Sequence, residues 1–178
     1  YKEYDFDKPL FERFPLTEKH CRTVYHTRSW ECYKLAQLSN RCLVDVMISH
    51  DWPTIATSSK EADGDIEQLI RHKEHFADEI RAQTLGSPMT SKLLKWMRPA
   101  FWVSGHMHSK FSSVIRHSPE TQEEIPFTIR TSDEPHSDAT ENRYEQTRFL
   151  ALDKCLPGKG FLQLLDIKGP TESSDDSP

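Results

Sequence analysis

Leu43-Val44-Asp45-Val46-Met47-Ile48-Ser49-His50-Asp51-Trp52-Pro53 (residues 43–53) and Phe101-Trp102-Val103-Ser104-Gly105-His106-Met107-His108 (residues 101–108) share one plan: an apolar run followed within a few residues by histidine. Apolar runs of this length bounded by loop residues read as buried strands, here Leu43 to Ile48 and Phe101 to Val103. His50, His106 and His108 are therefore expected just beyond strand carboxyl ends, where open α/β sheets place their ligands. Imidazole is a common nitrogen ligand for zinc, iron and manganese, and Gly105 lets the chain turn so that His106 and His108 can face different ions. A histidine alone at a strand end is ordinarily structural, capping a strand or bonding to a carbonyl. His-x-His after glycine, with a second strand-end histidine in the same chain, shifts the reading toward a two-metal hydrolase.

The intervening sequence is helical in pattern. Ser29 can cap a helix through Trp30, Tyr33 and Leu38 that stops near Asn40. Ile66, Leu69, Ile70, Lys73, Phe76 and Ile80 predict one amphipathic helix ending before Gly86. Ser87 as N-cap and Pro88 at the first helical position start another, with Leu93, Leu94 and Met97 as its apolar face and Pro99 as its stop. Strand, helix, helix and strand in this order fit half of a two-sheet α/β sandwich. Residues 119–145 are different in character: eight acids against two arginines, with few large apolar side chains, read as a flexible acidic insertion. Phe149 to Asp153 and Phe161 to Ile167 alternate around Pro157-Gly158 and predict a closing hairpin. Residues 169–178 read as a disordered tail.

Composition narrows the class. The 178 residues allow one domain with a sizeable core, but 35% hydrophobic residues and a mean hydropathy of −0.72 are low for a compact one. No apolar run approaches the roughly 20 residues that span a bilayer, so no membrane partner is expected. Cys21, Cys32, Cys42 and Cys155 lack Cys-x-x-Cys spacing, which predicts reduced thiols and a nuclear or cytoplasmic setting. A net charge of −5 argues against a protein that grips nucleic acid mainly by neutralising phosphates. The acids are concentrated in the insertion and the tail, however, and bound divalent cations would dominate the field at the histidines, so a phosphodiester substrate stays compatible.

Several longer strings point to a family. Ser49-His50-Asp51-Trp52-Pro53, Leu85-Gly86-Ser87-Pro88, Trp102 to Phe111 (WVSGHMHSKF) and Phe149 to Gln163 (FLALDKCLPGKGFLQ) resemble the RNA lariat debranching enzymes, a branch of the calcineurin-like metallophosphoesterases. Tyr25-His26-Thr27-Arg28 and the aromatic opening Tyr1 to Phe11 fit the same family, and the likeness runs to about Ile167. The resemblance implies an α/β fold, a partial calcineurin-like β-sandwich flanked by helices, with residues 1–111 as the carboxy-terminal part of the metallophosphoesterase domain and 112–168 as a debranching-type carboxy-terminal region. It implies a two-metal site of iron, zinc or manganese, in which His50 and His106 bind one ion and His108 the other; Asp51, as a carboxylate next to a ligating histidine, is expected to orient it. It also implies hydrolysis of the 2′–5′ linkage of excised intron lariats, branched RNA as partner, and action in the nucleus. Tyr1, Tyr4, Phe6, His26 and Arg28 would contact that RNA, the aromatics by stacking on unpaired bases.

The family's amino-terminal half carries Cys-x-His or Asp-x-His, a bridging Asp and Asn-His-Glu, and the sequence opens at Tyr1 without them. The chain is thus expected to be the carboxy-terminal portion of a catalytic unit, as a fragment or an incomplete gene model, inactive without its amino-terminal half. Two other readings stay open: another calcineurin-like phosphoesterase, against which the SHDWP and LDKCLPGKGFLQ strings argue, and a non-catalytic fragment or scaffold. His72 and His75 lie three apart on a helix but sit among Arg71, Lys73 and Glu74, which marks a solvated face. Asp63-Gly64-Asp65 is too short for a calcium loop and reads as a turn.

Overall fold

The computed structural model of the chain describes residues 15, 17–21, 29–40, 42–118 and 144–167. Five strands form a single mixed sheet: β1 (Val46–Ser49), β2 (Ala62–Gly64), β3 (Phe101–Ser104), β4 (Phe111–Arg116) and β5 (Gln146–Ala151), in the spatial order β1-β3-β5-β4-β2. The strands β1, β3 and β5 run parallel, while β4 is antiparallel to both β5 and β2. The α/β class read from the sequence holds. A second sheet packed on this one, which a sandwich requires, does not occur among the described residues.

The first strand begins three residues later than expected and includes Ser49. Its register explains this: Val46 pairs with Phe101, and the Phe101 N–H already donates to Asp45 O at 2.9 Å. Pro99, just before β3, has no N–H to offer further upstream, so Leu43 and Val44 lie outside the ladder. The helix capped by Ser87, Pro88–Met97, agrees closely with the sequence reading. Ser87 Oγ accepts from Thr90 N, Pro88 opens the helix, and Leu93, Leu94, Trp96 and Met97 are buried. Arg98, in the left-handed conformation at φ 44°, ends it one residue before Pro99.

Three other expectations are corrected. The single helix from Ile66 to Ile80 is in fact a helix over Ile66–His72, a 3-10 turn at Glu74–Phe76 and a second helix over Ala77–Arg81. Asp65 caps the first by accepting from Gln68 N at 2.8 Å, and Lys73, at φ −141° and ψ 67°, breaks the spiral. Leu69, Phe76 and Ile80 all remain buried, so packing outweighs the local helical period. Asp63 and Gly64 are not a turn but part of β2. The predicted hairpin of residues 149–153 with 161–167 does not form either, because β3 and β4 occupy both hydrogen-bonding edges of β5. Residues 161–167 have no strand partner, and Leu164 is 87% exposed.

The core lies between the sheet and its helices around Trp52, Trp102, Phe149, Leu85, Leu94 and Ile115, all almost completely buried. Trp52 stacks on Phe111 with centroids 5.4 Å apart and meets Phe149 edge-on at the same distance. Burial of each such aromatic contributes roughly 1.5–3 kcal/mol. Gly86 sits at φ +100°, and a Cβ there would stand 2.4 Å from Trp52 O. Glycine is what allows Ser87 N to reach that carbonyl at 2.8 Å, joining the LGSP and SHDWP strings.

At the far end of β4, Arg116 pairs with Gln146 and the His117 N–H donates to Glu145 O at 2.8 Å. The His117 ring donates from Nε2 to Thr147 Oγ1 (2.8 Å), whose own proton goes to Pro99 O (2.7 Å). Burial first, then the charges of Arg98 and Lys95, pushes its pKa from 6.5 down to about 4. Neutral His117 is therefore the form that the fold selects. Its contribution is fully present above pH 6.5 and is lost as pH falls toward 4, where the unfolded chain binds a proton that the folded chain refuses. After allowance for solvent screening of a partly exposed ring, this amounts to on the order of 1–2 kcal/mol. A proton NMR titration of the full-length protein should find the His117 ring neutral at pH 5.5, and an ordinary midpoint near 6.5 would contradict the packing described.

Candidate metal centre

Parallel β1 and β3 end level, with Ser49 opposite Ser104, and this register brings the two histidine segments to one rim of the sheet. A hydroxyl pair locks the ends together. Ser49 Oγ donates to Asp51 O (2.7 Å) and accepts from Trp102 Nε1 (2.8 Å), while Ser104 Oγ lies 2.9 Å from Ser49 Oγ and 3.1 Å from Asp51 O. Trp52 Nε1 donates to Gly105 O (2.7 Å), and Gly105 N donates to His50 O (3.2 Å). Each loop thus grips the other through backbone carbonyls.

After Gly105 the chain doubles back sharply. Met107 N donates to Gly105 O at 2.8 Å, and His106 and His108 take left-handed conformations at φ 62° and φ 49°. Such conformations cost a non-glycine residue roughly 1–2 kcal/mol each and recur where function fixes the backbone. The result is a close pair: His106 Nδ1 lies 2.8 Å from His50 Nε2, and the rings meet edge-on with centroids 4.7 Å apart. Asp51 Oδ1 lies 3.5 Å from His106 Nδ1. One ligand atom from each of His50, Asp51 and His106 falls within 4.8 Å of the others.

This group fits a cation. Asp51 is 8% exposed and its Oδ1 is buried without a hydrogen-bond partner. An ionised oxygen left so would be heavily penalised, and a positive ion at the cluster supplies the missing partner. Two imidazoles and a carboxylate are suitable donors for zinc, iron or manganese.

Of the expected metal residues, His50 and His106 come together, whereas His108 is exposed and lies outside this group of three. Asp51, read from sequence as an orienting residue, stands among the possible ligand atoms themselves. The sequence reading missed the Ser49–Ser104 lock and the Trp52 bond to Gly105. The signal available for the lock was that each strand ends in serine directly before its loop. Tyr1, Tyr4, Phe6, His26 and Arg28 lie outside the described residues, as do most of the 119–145 insertion and the 169–178 tail.

Similarity to known proteins agrees with the strings at this rim. Residues 144–178 match the family described as "Lariat debranching enzyme, C-terminal domain". Proteins named lariat debranching enzyme are 36% identical over 175 residues in Gallus gallus, 38% over 175 residues in Arabidopsis thaliana and 36% over 175 residues in Homo sapiens. These alignments take in 98%, 97% and 98% of the chain but only 28%, 35% and 28% of the relatives, so the chain spans about a third of their length. Across that span the chain is similar to the lariat debranching enzymes, and its residues 144–178 match the carboxy-terminal domain of that family.

Proposed function

We propose that this chain forms part of a metal-dependent RNA phosphodiesterase that hydrolyses the 2′–5′ branch linkage of excised intron lariats, with the nucleus as its setting. The observation that supports this most directly is the buried, unpartnered Asp51 oxygen beside paired His50 and His106, in a chain similar to enzymes named for debranching. His50 and His106 would hold one ion and His108 a second. Divalent cations held there would supply Lewis acidity to activate water toward phosphorus and to offset charge on the phosphoryl oxygens.

The chain's own part is to hold the ligands still. The Ser49–Ser104 lock and the Trp52 N–H fix the backbone on both sides of the site, and the left-handed turn at His106 aims its Nδ1 at His50 and Asp51. The Asp51 carboxylate orients His106. In the full-length protein, a chelator should stop cleavage of branched RNA, and linear RNA of the same sequence should be a poor substrate throughout. Asp51→Asn keeps the volume and removes the charge that would face the cation, so activity and metal affinity should both fall about 10–100-fold. Complete loss together with the metal would make Asp51 a ligand. Full activity would remove it from the site.

A further inference from the structure

The third parallel strand ends level with the other two, since Ser104 stands opposite Ala151. The chain beyond Ala151 therefore emerges on the rim that carries His50 and His106. Antiparallel β4 begins on that rim as well, with Phe111 paired to Ala151. Leu152 N donates to Ser104 O at 3.1 Å, which fixes the start of the loop from Leu152 to Phe161 beside the cluster.

This loop is a built turn. Asp153 N donates to Gly160 O (3.1 Å), Lys154 N to Asp153 Oδ1 (2.7 Å) and Lys159 N to Leu156 O (3.1 Å). Gly160 lies directly on the stem of Lys110, where a Cβ would stand 2.5 Å from Lys110 Cδ. The loop thereby brings Lys154 and Lys159 to the same rim as Lys110, and all three are exposed. Asp153, 3.9 Å from Lys159, is the one acid between Ser109 and Phe111 or between Leu152 and Phe161. In a chain of net charge −5, this is a local concentration of positive charge next to the metal cluster.

We infer that Lys110, Lys154 and Lys159 form a phosphate clamp that positions the polynucleotide strand flanking the scissile linkage. Ammonium groups are point charges that match non-bridging phosphate oxygens without reading bases, so the clamp aligns the backbone and leaves sequence unread. The inference rests on the proposed RNA phosphodiesterase activity for its substrate. These are positioning residues, and they act on binding rather than on the chemical step.

The test uses the full-length, metal-loaded protein and a triple variant, Lys110→Gln, Lys154→Gln and Lys159→Gln, which keeps the side-chain stems. KM for branched RNA should rise on the order of 10-fold at physiological salt, and the slope of log affinity against log salt should shrink by about 2. The kcat should hold within about twofold, as should hydrolysis of bis(p-nitrophenyl) phosphate, which has no flanking nucleotides. The corresponding triple arginine variant should restore binding. Unchanged KM and salt slope in the glutamine variant overturn the clamp, as does an equal loss on the small phosphodiester. If the wild type fails to cleave branched RNA, the proposed function falls. The clamp is then decided by affinity for a single-stranded oligoribonucleotide, where a weaker, less salt-sensitive variant supports it and equal binding ends it.

Discussion

His106→Ala, introduced into the full-length protein, is expected to abolish branched-RNA cleavage and to strip metal from the protein while leaving it folded. The reason is positional. His106 stands outside the core, with its side chain 45% exposed, so truncation opens no cavity. Its Nδ1 nevertheless lies 2.8 Å from His50 Nε2 and 3.5 Å from Asp51 Oδ1. Loss of a residue that merely orients a ligand costs 10–100-fold, so loss of the ligand itself should exceed about 100-fold. His50→Ala should behave alike. Metal content by mass spectrometry, cleavage of a synthetic branched RNA and thermal unfolding together decide the matter. A variant that keeps both its metal and its turnover would remove these histidines from the centre.

Trp52→Ala is expected to be the most damaging single change to the fold. The side chain is fully buried, stacked on Phe111 and edge-on to Phe149, and removal of a core tryptophan costs about 3–5 kcal/mol. The change should also disturb the metal centre, because Trp52 Nε1 holds Gly105 O at 2.7 Å and so anchors the turn that carries His106. Trp52→Phe separates the two effects. It keeps most of the packing and removes the indole donor, leaving the Gly105 carbonyl with Met107 N alone, so metal affinity should drop further than stability does. Denaturant unfolding and metal titration of both variants measure this, and a loss below about 1 kcal/mol for the alanine variant would show that the contacts described are not those that hold the domain.

The parts of the fold written in local chemistry were legible from residues alone. Ser87-Pro88 opens a helix because one supplies an oxygen and the other a preset φ, and the apolar runs before His50 and His106 do form strands, although β1 lies at the sheet edge with Ile48 73% exposed rather than buried. Pairing partners were not legible, because they are chosen by segments far apart in the chain. Residues 161–167 have a strand-like pattern and no strand, since β3 and β4 already flank β5. Conversely, Asp63-Gly64 has turn composition and lies in β2, where Gly64 accommodates Phe111 and Ser113 at distances that a Cβ would violate. The site divides in the same way. His50 and His106 announce themselves by their place after apolar runs, but the burial of Asp51 and the hydroxyl lock behind it depend on the Ser49–Ser104 register.

The junction of β4 and β5 bears on how such a protein can change over evolutionary time. Arg116 faces Gln146 and His117 is bonded to Glu145, so the two ends of the 118–144 stretch meet at neighbouring points on the sheet, at the opposite end of these strands from the histidines. The closure entropy of such a segment grows only with the logarithm of its length, and doubling it costs about 0.6 kcal/mol. A change in the length of this stretch therefore costs the fold little while the histidine-bearing rim stays where it is. For the engineer, it is the natural place to splice in a fluorescent reporter or an affinity handle.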